Sequence, residues 1–324
     1  MERKLVIARP SISDEERDFI IRTTEEAGYI PVFLDPQHAS AADYMDAEII
    51  YGEGSVAKRA AAESDTLRWL CASFAGVDAF CRPGAFKHES TILTNSAGAY
   101  GVSLAEHAIM LALMMMRRMP VYEEGIRCRK WLSPIPQASI KDAVVTLLGT
   151  GDAGSSTARR LRGFEPARII GVSRSGRCPD PAYDEVFSTD SLTDVLGRTD
   201  LLIMSLPSTA LTYHMLDDKM ISVMKTGAYV VNVGRGNTID TDALARALRE
   251  HRLAGAALDV LETEPLPEDS PLWDTPNLIL TPHVAGNLTL PHTRKRNTEM
   301  FCEDLLRYAA GQPLLHMVDR SAGY

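Results

Sequence analysis

Short apolar runs recur along the chain, separated by polar stretches that carry apolar residues on one side only. Leu5–Ala8, Pro31–Leu34, Glu48–Tyr51, Trp69–Ala72 and Ile92–Thr94 read as strands buried in a sheet. Between the first two, Asp14–Ala27 reads as a helix with Phe19, Ile20 and Ala27 inward, stopped by Gly28. Strands alternating with helices predict a parallel sheet covered on both faces. The pattern then changes. Ser103-Leu104-Ala105-Glu106 has the spacing of a capping box, so a helix is expected to open with Ser103 as N-cap and to stop before Pro120. Its methionines, Met110, Met114 and Met115, predict a helix buried in a core or an interface.

A second alternating set follows, with strands expected at 143–148, 169–172, 201–204, 229–233, 256–260 and 278–281 and a helix at Thr241–Glu250. The last amphipathic stretch, Arg294–Ala310, has no strand after it to serve. It is therefore expected to return to the first set. The α/β chain should then divide into a domain of 1–98 plus 292–324 and an inserted domain of 99–291. Two crossings would suit a hinge over a cleft.

Composition narrows the classes. The 324 residues are 45% hydrophobic and 24% charged, which excludes a wholly disordered chain or a coiled coil. Lys+Arg number 34 and Asp+Glu 43, a net charge of −9, so no nucleic-acid partner is expected. The five cysteines lack CxxC spacing, which argues against a zinc site or a disulfide framework. Leu5–Ala8 is too short for a signal-peptide core, and Ala105–Met116 is too short and too polar to span a bilayer. A cytoplasmic protein with no membrane partner is expected.

Chemistry enters at Gly149-Thr150-Gly151-Asp152-Ala153-Gly154. This G-x-G-x-x-G follows an apolar strand and precedes a helix, the arrangement that brings backbone amides to a pyrophosphate. Gly149 would make the turn, Gly151 the close approach and Gly154 the helix–strand contact. Asp152 places a carboxylate near the expected phosphates and has no clear role at this point. The next strand ends in Ser173-Arg174-Ser175-Gly176-Arg177. An acid here would bind the ribose hydroxyls of NAD; a hydroxyl and two guanidiniums instead favour a 2′-phosphate. NADP(H) is the preferred cofactor on this reading, with NAD(H) as the secondary one. Three further segments place an Arg, a carboxylate and a His directly after apolar strands: Val233-Gly234-Arg235-Gly236, Asp259–Leu266 with Glu264, and Thr281–Gly286 with His283.

These residues carry a resemblance to the D-2-hydroxyacid dehydrogenase family, in particular its short glyoxylate/hydroxypyruvate reductase-like members. The match extends over Phe74–Asp78, Ala105-Glu106-His107, the glycine loop, Leu206-Pro207 and the ordered Arg…Glu…His set, spaced by 29 and then 19 residues. The resemblance implies a Rossmann doubly wound nucleotide domain inserted into a smaller flavodoxin-like domain, and a homodimer through the interdomain helices. It gives Arg235, Glu264 and His283 the catalytic positions, and Ala75, Gly76 and Arg235 the grip on a 2-keto or 2-hydroxy acid. Beyond the glycine loop and Ser173–Ser175, it places Leu206, Pro207, Thr212, Val233, Gly234, Asp259 and Gly286 at the cofactor. It implies His283 as general acid or base, oriented and favoured in its charged form by Glu264, with Arg235 polarising the carbonyl. No metal is expected. Glu264 argues against the formate dehydrogenases, which carry Gln there. The other implied class is a dinucleotide-sensing, co-repressor-like protein without turnover. Phe74, Tyr100, Leu104 and Trp273 are candidates to line a side-chain pocket.

Overall fold

A computed structural model of the chain describes residues 3–323; Met1, Glu2 and Tyr324 lie outside the described residues. The chain divides into two compact units. Unit 1 holds the residues up to Tyr100 and those from Asn287 onward; unit 2 is Gly101–Gly286. The first division falls two residues beyond the expected boundary after residue 98, the second five residues before the expected one after 291.

Unit 1 is built on β1 (Lys4–Ala8), β2 (Ile30–Phe33), β3 (Ile49–Gly52), β4 (Trp69–Ala72) and β5 (Ile92–Thr94). They form a parallel sheet in the order β2-β1-β3-β4-β5. Alternate residues of each strand point to opposite faces. Val6, Ala8, Ile50, Leu70 and Ala72 pack on helix α2 (Gly54–Glu63) through Val56, Ala57, Ala60 and Ala61. Leu5, Ile7, Ile49, Tyr51, Trp69 and Cys71 pack on the other side against Ile20 of α1 (Asp14–Glu26). Both faces are covered, which is why these strands read as continuous apolar runs.

Unit 2 opens with α3 (Gly101–Met116) and α4 (Met119–Arg127). Helix α3 begins two residues before Ser103, so Ser103 is a buried residue inside the first turn and not the N-cap. The capping-box expectation fails because Gly101, which has no Cβ to obstruct, already adopts helical geometry. Arg118, in the left-handed region at φ 59°, breaks the helix before Pro120, which then sits in the first turn of α4. The sheet of unit 2 comprises β6 (Val144–Leu148), β7 (Arg168–Ser173), β8 (Glu185–Ser188), β9 (Leu201–Met204), β10 (Ala228–Asn232), β11 (Leu253–Leu258) and β12 (Leu278–Leu280). The order is β12-β11-β10-β9-β6-β7-β8, all parallel. Short, half-buried β8 at the edge has no apolar run and was not expected. The order reverses between β6 and β9, the switch point at which doubly wound sheets leave a crevice for ligands.

Helix α5 (Asp152–Leu161) and α3 cover one face of this sheet. The other face is covered by α6 (Leu192–Leu196), α7 (Asp218–Val223) and α8 (Thr241–Arg249). The final helix, α9 (Pro291–Ala309), belongs to unit 1, where Phe301, Cys302 and Leu305 join the core beside α1 and the Phe301 ring stacks on Tyr51 at 4.1 Å. All five cysteines are free thiols. No helix of the described residues is long and apolar enough to cross a membrane.

The loops after β10 and β11 touch where a side chain would not fit. A Cβ on Gly236 would overlap the backbone of Leu261. Gly236→Ala should therefore cost about 3 kcal/mol, read as a fall in Tm of roughly 6–12 °C. An unchanged Tm would show that the two loops part easily.

Candidate active site

Parallel strands gather the loops at their C-terminal ends, and in unit 2 the chemical groups stand there. The glycine loop follows β6. Gly149 sits at φ 104°, where an L side chain is strained, and donates its amide to Val172 of β7 at 2.9 Å. A Cβ on Gly154 would overlap the Gly149 carbonyl, whereas the space over Gly151 is open. The loop thus turns tightly and leaves a bare backbone surface at the start of the ten-residue helix α5. The helix N-terminus offers amides and a partial positive charge. These features fit a dinucleotide pyrophosphate, with Gly149, Thr150, Gly151, Ala153 and Gly154 forming the cradle.

Asp152 turns away to a different task. Its carboxylate lies against Gly101, where any Cβ would overlap it, at the N-terminal end of α3. A carboxylate at a helix N-terminus is stabilising. At the end of β7, Ser173 Oγ accepts from the Arg177 amide at 3.2 Å and closes the turn that contains Ser175 and Gly176. Arg174 and Arg177 stand on the exposed side of this turn. After β9, Leu206 lies against Gly234, where a Cβ would meet the Leu206 backbone nitrogen at 2.5 Å. Thr212 Oγ1 donates to the Pro207 carbonyl at 2.7 Å and accepts from the Thr209 amide, so it shapes the 207–212 loop from within.

Arg235 follows β10 and is half-buried. The buried Asn232 side chain sets its backbone: Oδ1 accepts from the Gly234 amide at 3.0 Å and Nδ2 donates to the Arg235 carbonyl at 2.9 Å. Next to it, Gly236 abuts Leu261. The Leu261 amide donates to Glu264 Oε1 at 2.8 Å, and Glu264 Oε2 meets His283 Nδ1 at 2.7 Å. One chain of contacts therefore joins the loop of Arg235 to Glu264 and His283. The imidazole is 47% exposed and the carboxylate 36%. Both line a cavity of about 680 Å³ with Asp259, Leu266, Trp273 and Thr281. Arg235 is not among its walls.

His283 itself is held in the left-handed region, φ 55°, a conformation uncommon outside glycine. Asp259 supplies the compensation. Its carbonyl accepts the His283 amide at 2.8 Å. Its carboxylate, 2% exposed as a residue, accepts from Thr281 Oγ1 at 2.6 Å, the Val284 amide at 2.9 Å and the Ala285 amide at 3.0 Å. His107 of α3 approaches the same pair, 3.1 Å from Thr281 Oγ1 and 3.5 Å from Asp259 Oδ1. Val233 is buried and donates its amide to Met204. Gly286 ends unit 2. Among the described residues no group of three or more His, Cys, Asp or Glu side chains is placed to hold a metal.

Unit 1 carries its own strand-end site in the loop after β4. Each carbonyl of Ser73, Phe74 and Ala75 is occupied. Ser73 accepts from Tyr100 Oη at 2.5 Å and Asn297 Nδ2 at 2.9 Å, Phe74 from the Ser96 amide at 3.2 Å, and Ala75 from Asn95 Nδ2 at 2.7 Å. The Ala75 and Gly76 amides make no hydrogen bond among the described residues. With its acceptors pinned, the loop presents donors, as an anion site requires. Of the side-chain pocket candidates, only Trp273 lines the cavity of His283. Tyr100 is buried, Phe74 packs on Phe80 at 6.1 Å and Leu104 packs on the α3 face of the sheet. Asn232 and Asn95 were missed, although each is an amide placed at the end of an apolar strand.

A glycine cradle for a dinucleotide at the switch point of a doubly wound sheet, with a His–carboxylate pair on the same edge, defines a nicotinamide-dependent oxidoreductase. The comparisons narrow the class. Residues 109–285 match the model for the D-isomer specific 2-hydroxyacid dehydrogenase NAD binding domain. Glyoxylate/hydroxypyruvate reductase A of Salmonella heidelberg is 31% identical over 226 residues, 69% of this chain and 70% of that one. The crystal structure of a D-isomer specific 2-hydroxyacid dehydrogenase family protein from Aeromonas salmonicida superposes with TM-score 0.86 at 31% identity, over 99% of this chain and all of that one. An NADPH-dependent glyoxylate/hydroxypyruvate reductase from Sinorhizobium meliloti, solved with NADP and sulfate, gives TM-score 0.82 at 25% identity over the whole of both chains. The chain belongs to the D-isomer specific 2-hydroxyacid dehydrogenase family.

Asp259→Asn replaces one acceptor by a donor against the 281–285 loop. The loss of one hydrogen bond to a buried carboxylate should cost about 1.5–3 kcal/mol. Hydrogen exchange at the Val284 and Ala285 amides should accelerate while that of β6 does not. Uniform protection in the variant would mean the loop holds itself.

Proposed function

We propose that the protein reduces a 2-keto acid to the D-2-hydroxy acid with NADPH in preference to NADH. The observation that carries the reading is the His283–Glu264 contact at 2.7 Å, with the second Glu264 oxygen anchored on the Leu261 amide. With Nδ1 committed to the carboxylate, Nε2 is the ring nitrogen left for a substrate. A nicotinamide cofactor, when bound, would supply the hydride. His283 donates a proton from Nε2 to the oxygen on which negative charge develops, and takes it back in the reverse direction. Glu264 orients the ring. Arg235 holds the substrate carboxylate and polarises the carbonyl with its planar fork. The free Ala75 and Gly76 amides receive the carboxylate. Glyoxylate and hydroxypyruvate are the first substrates to try.

The cofactor preference rests on Ser173, Arg174 and Arg177, a turn with two cations and no acid where the ribose is expected. Binding residues on this reading also include Thr150, Asp152, Ser175, Leu206, Pro207, Thr212, Val233, Gly234, Asp259 and Gly286. Thr212 contributes by shaping the 207–212 loop, and Asp152 stands with its carboxylate at the N-terminal end of α3. The working form is a homodimer through the segment of α3 and α4. There, Trp131 and Ile126 are exposed beside a second cavity of about 550 Å³ walled in part by Met115, Val121 and Leu132.

His283→Ala should lower kcat by about 10²–10⁴-fold while NADPH binding, followed by fluorescence, is retained. Near-normal turnover would remove the assignment, and a wild-type protein that binds NADPH yet reduces no 2-keto acid would be a sensor. Separately, kcat/KM should be higher with NADPH than with NADH. Arg174→Ala should narrow that ratio by roughly tenfold or more, the worth of a hydrogen bond to a charged group. A ratio favouring NADH would overturn the cofactor reading.

A further inference from the structure

A carboxylate that the proposed mechanism does not use stands at the same strand ends of unit 1. Glu53 follows β3 and occupies the N-cap position of α2, yet its side chain makes no capping bond. Oε2 instead accepts from Ser73 Oγ at 3.1 Å, at the first residue of the loop whose amides are left open. The backbone has little freedom to move it, because a Cβ on the preceding Gly52 would meet the Ala8 carbonyl oxygen at 2.5 Å. Glu53 is half-buried, and burial pushes its carboxyl above the ordinary value. No hydrogen bond to the Glu53 carboxylate other than that from Ser73 is made among the described residues.

The charged and titratable groups nearby do not satisfy it. Arg9, whose side chain is fully buried, gives Nη1 to Tyr51 Oη, Asn297 Oδ1 and Thr298 Oγ1, at 2.7, 3.2 and 2.7 Å. Its Nη2 faces Glu16 at 3.4 Å. The guanidinium is close enough to lower the Glu53 carboxyl somewhat, but no ion pair joins the two. The Tyr100 phenol, also near, is spent on the Ser73 carbonyl. The second carboxylate oxygen is not among the buried atoms without a partner, so it is open to water and can exchange that water for a donor.

We propose that Glu53 is a specificity-determining residue that selects 2-keto acids bearing a hydrogen-bond donor on the end remote from the carboxylate, an ammonium, guanidinium or hydroxyl, and rejects a second carboxylate there. The inference rests on the reductase reading for the keto acid and on Glu53 for the rest. The amides of Ala75 and Gly76 take the anionic end of the substrate, and Glu53 takes the other. A donor group exchanges the water on Glu53 for a charge-assisted hydrogen bond. A second carboxylate meets like charge.

The test compares near-isosteric acids in pairs: hydroxypyruvate with 2-oxobutanoate, 5-guanidino-2-oxopentanoate with 7-methyl-2-oxooctanoate, and oxaloacetate with 4-methyl-2-oxopentanoate. For the wild type, kcat/KM should favour the donor-bearing member of the first two pairs by about tenfold to a hundredfold, expressed in KM more than in kcat, and should disfavour oxaloacetate. Glu53→Ala should bring the first two ratios to near unity. Glu53→Gln, which keeps an acceptor and the shape, should retain much of the hydroxyl ratio and lose the guanidinium ratio. Dissociation constants of the same acids from protein loaded with NADP⁺, where no hydride is available, should show the same ratios. Absence of turnover with every acid would defeat the reductase reading and leave those binding ratios to decide for Glu53. Ratios unchanged in Glu53→Ala, a wild type that prefers the apolar or dicarboxylic member, or no binding of any acid would overturn the proposal.

Discussion

The buried carboxylate of Asp259 is the constraint on which the rest of the proposed centre depends. At the end of β11 the chain stops pairing as a strand, and the segment after β12 must cross in front of the sheet edge with its amides unpaired. Buried amides without acceptors would cost more than most single contacts return. Asp259 accepts two of them, together with a threonine hydroxyl, and its own carbonyl takes the amide of His283. The imidazole can then stand half-exposed on a fixed backbone. Glu264 orients the ring from one side and is itself fixed by Leu261.

The two units solve the same problem by opposite means. Both end their parallel strands in loops that leave backbone donors open. Unit 2 does this with a helix terminus behind a glycine turn, so that the donors come from the start of α5. Unit 1 has no such helix after β4. It occupies the acceptors of the loop with Asn95, Tyr100, Asn297 and a backbone amide, and the donors are what remain. Neither device requires an overall positive charge, and the chain carries −9. On the proposed reading, anion recognition is a matter of oriented dipoles and a few arginines, with the excess acid elsewhere.

Much of this was legible in the sequence. Strands buried on both faces show as unbroken apolar runs, so most strands were placed to within a few residues, and the glycines of the cradle mark themselves by spacing. Arg235, Glu264 and His283 stood out as polar residues shortly after such runs, and the structure brings the last two into contact. Less legible was whatever depends on a contact distant in the chain. Ser103 has the local spacing of a cap, but Gly101, relieved of a side chain beside Asp152, starts the helix earlier. The half-buried edge strand β8 lacks the apolar run that betrays its neighbours. Asn95 and Asn232 look like ordinary turn residues until the carbonyls they hold are known. Tyr100 looks like a pocket wall until its hydroxyl is found on Ser73.

The left-handed backbone of His283 has a wider bearing. At φ 55° the residue that the backbone itself would choose is glycine. On the proposed mechanism, position 283 is therefore one where backbone preference and chemistry pull apart. Replacing His283 by glycine would relieve the backbone and, in the same step, remove the ring that meets Glu264.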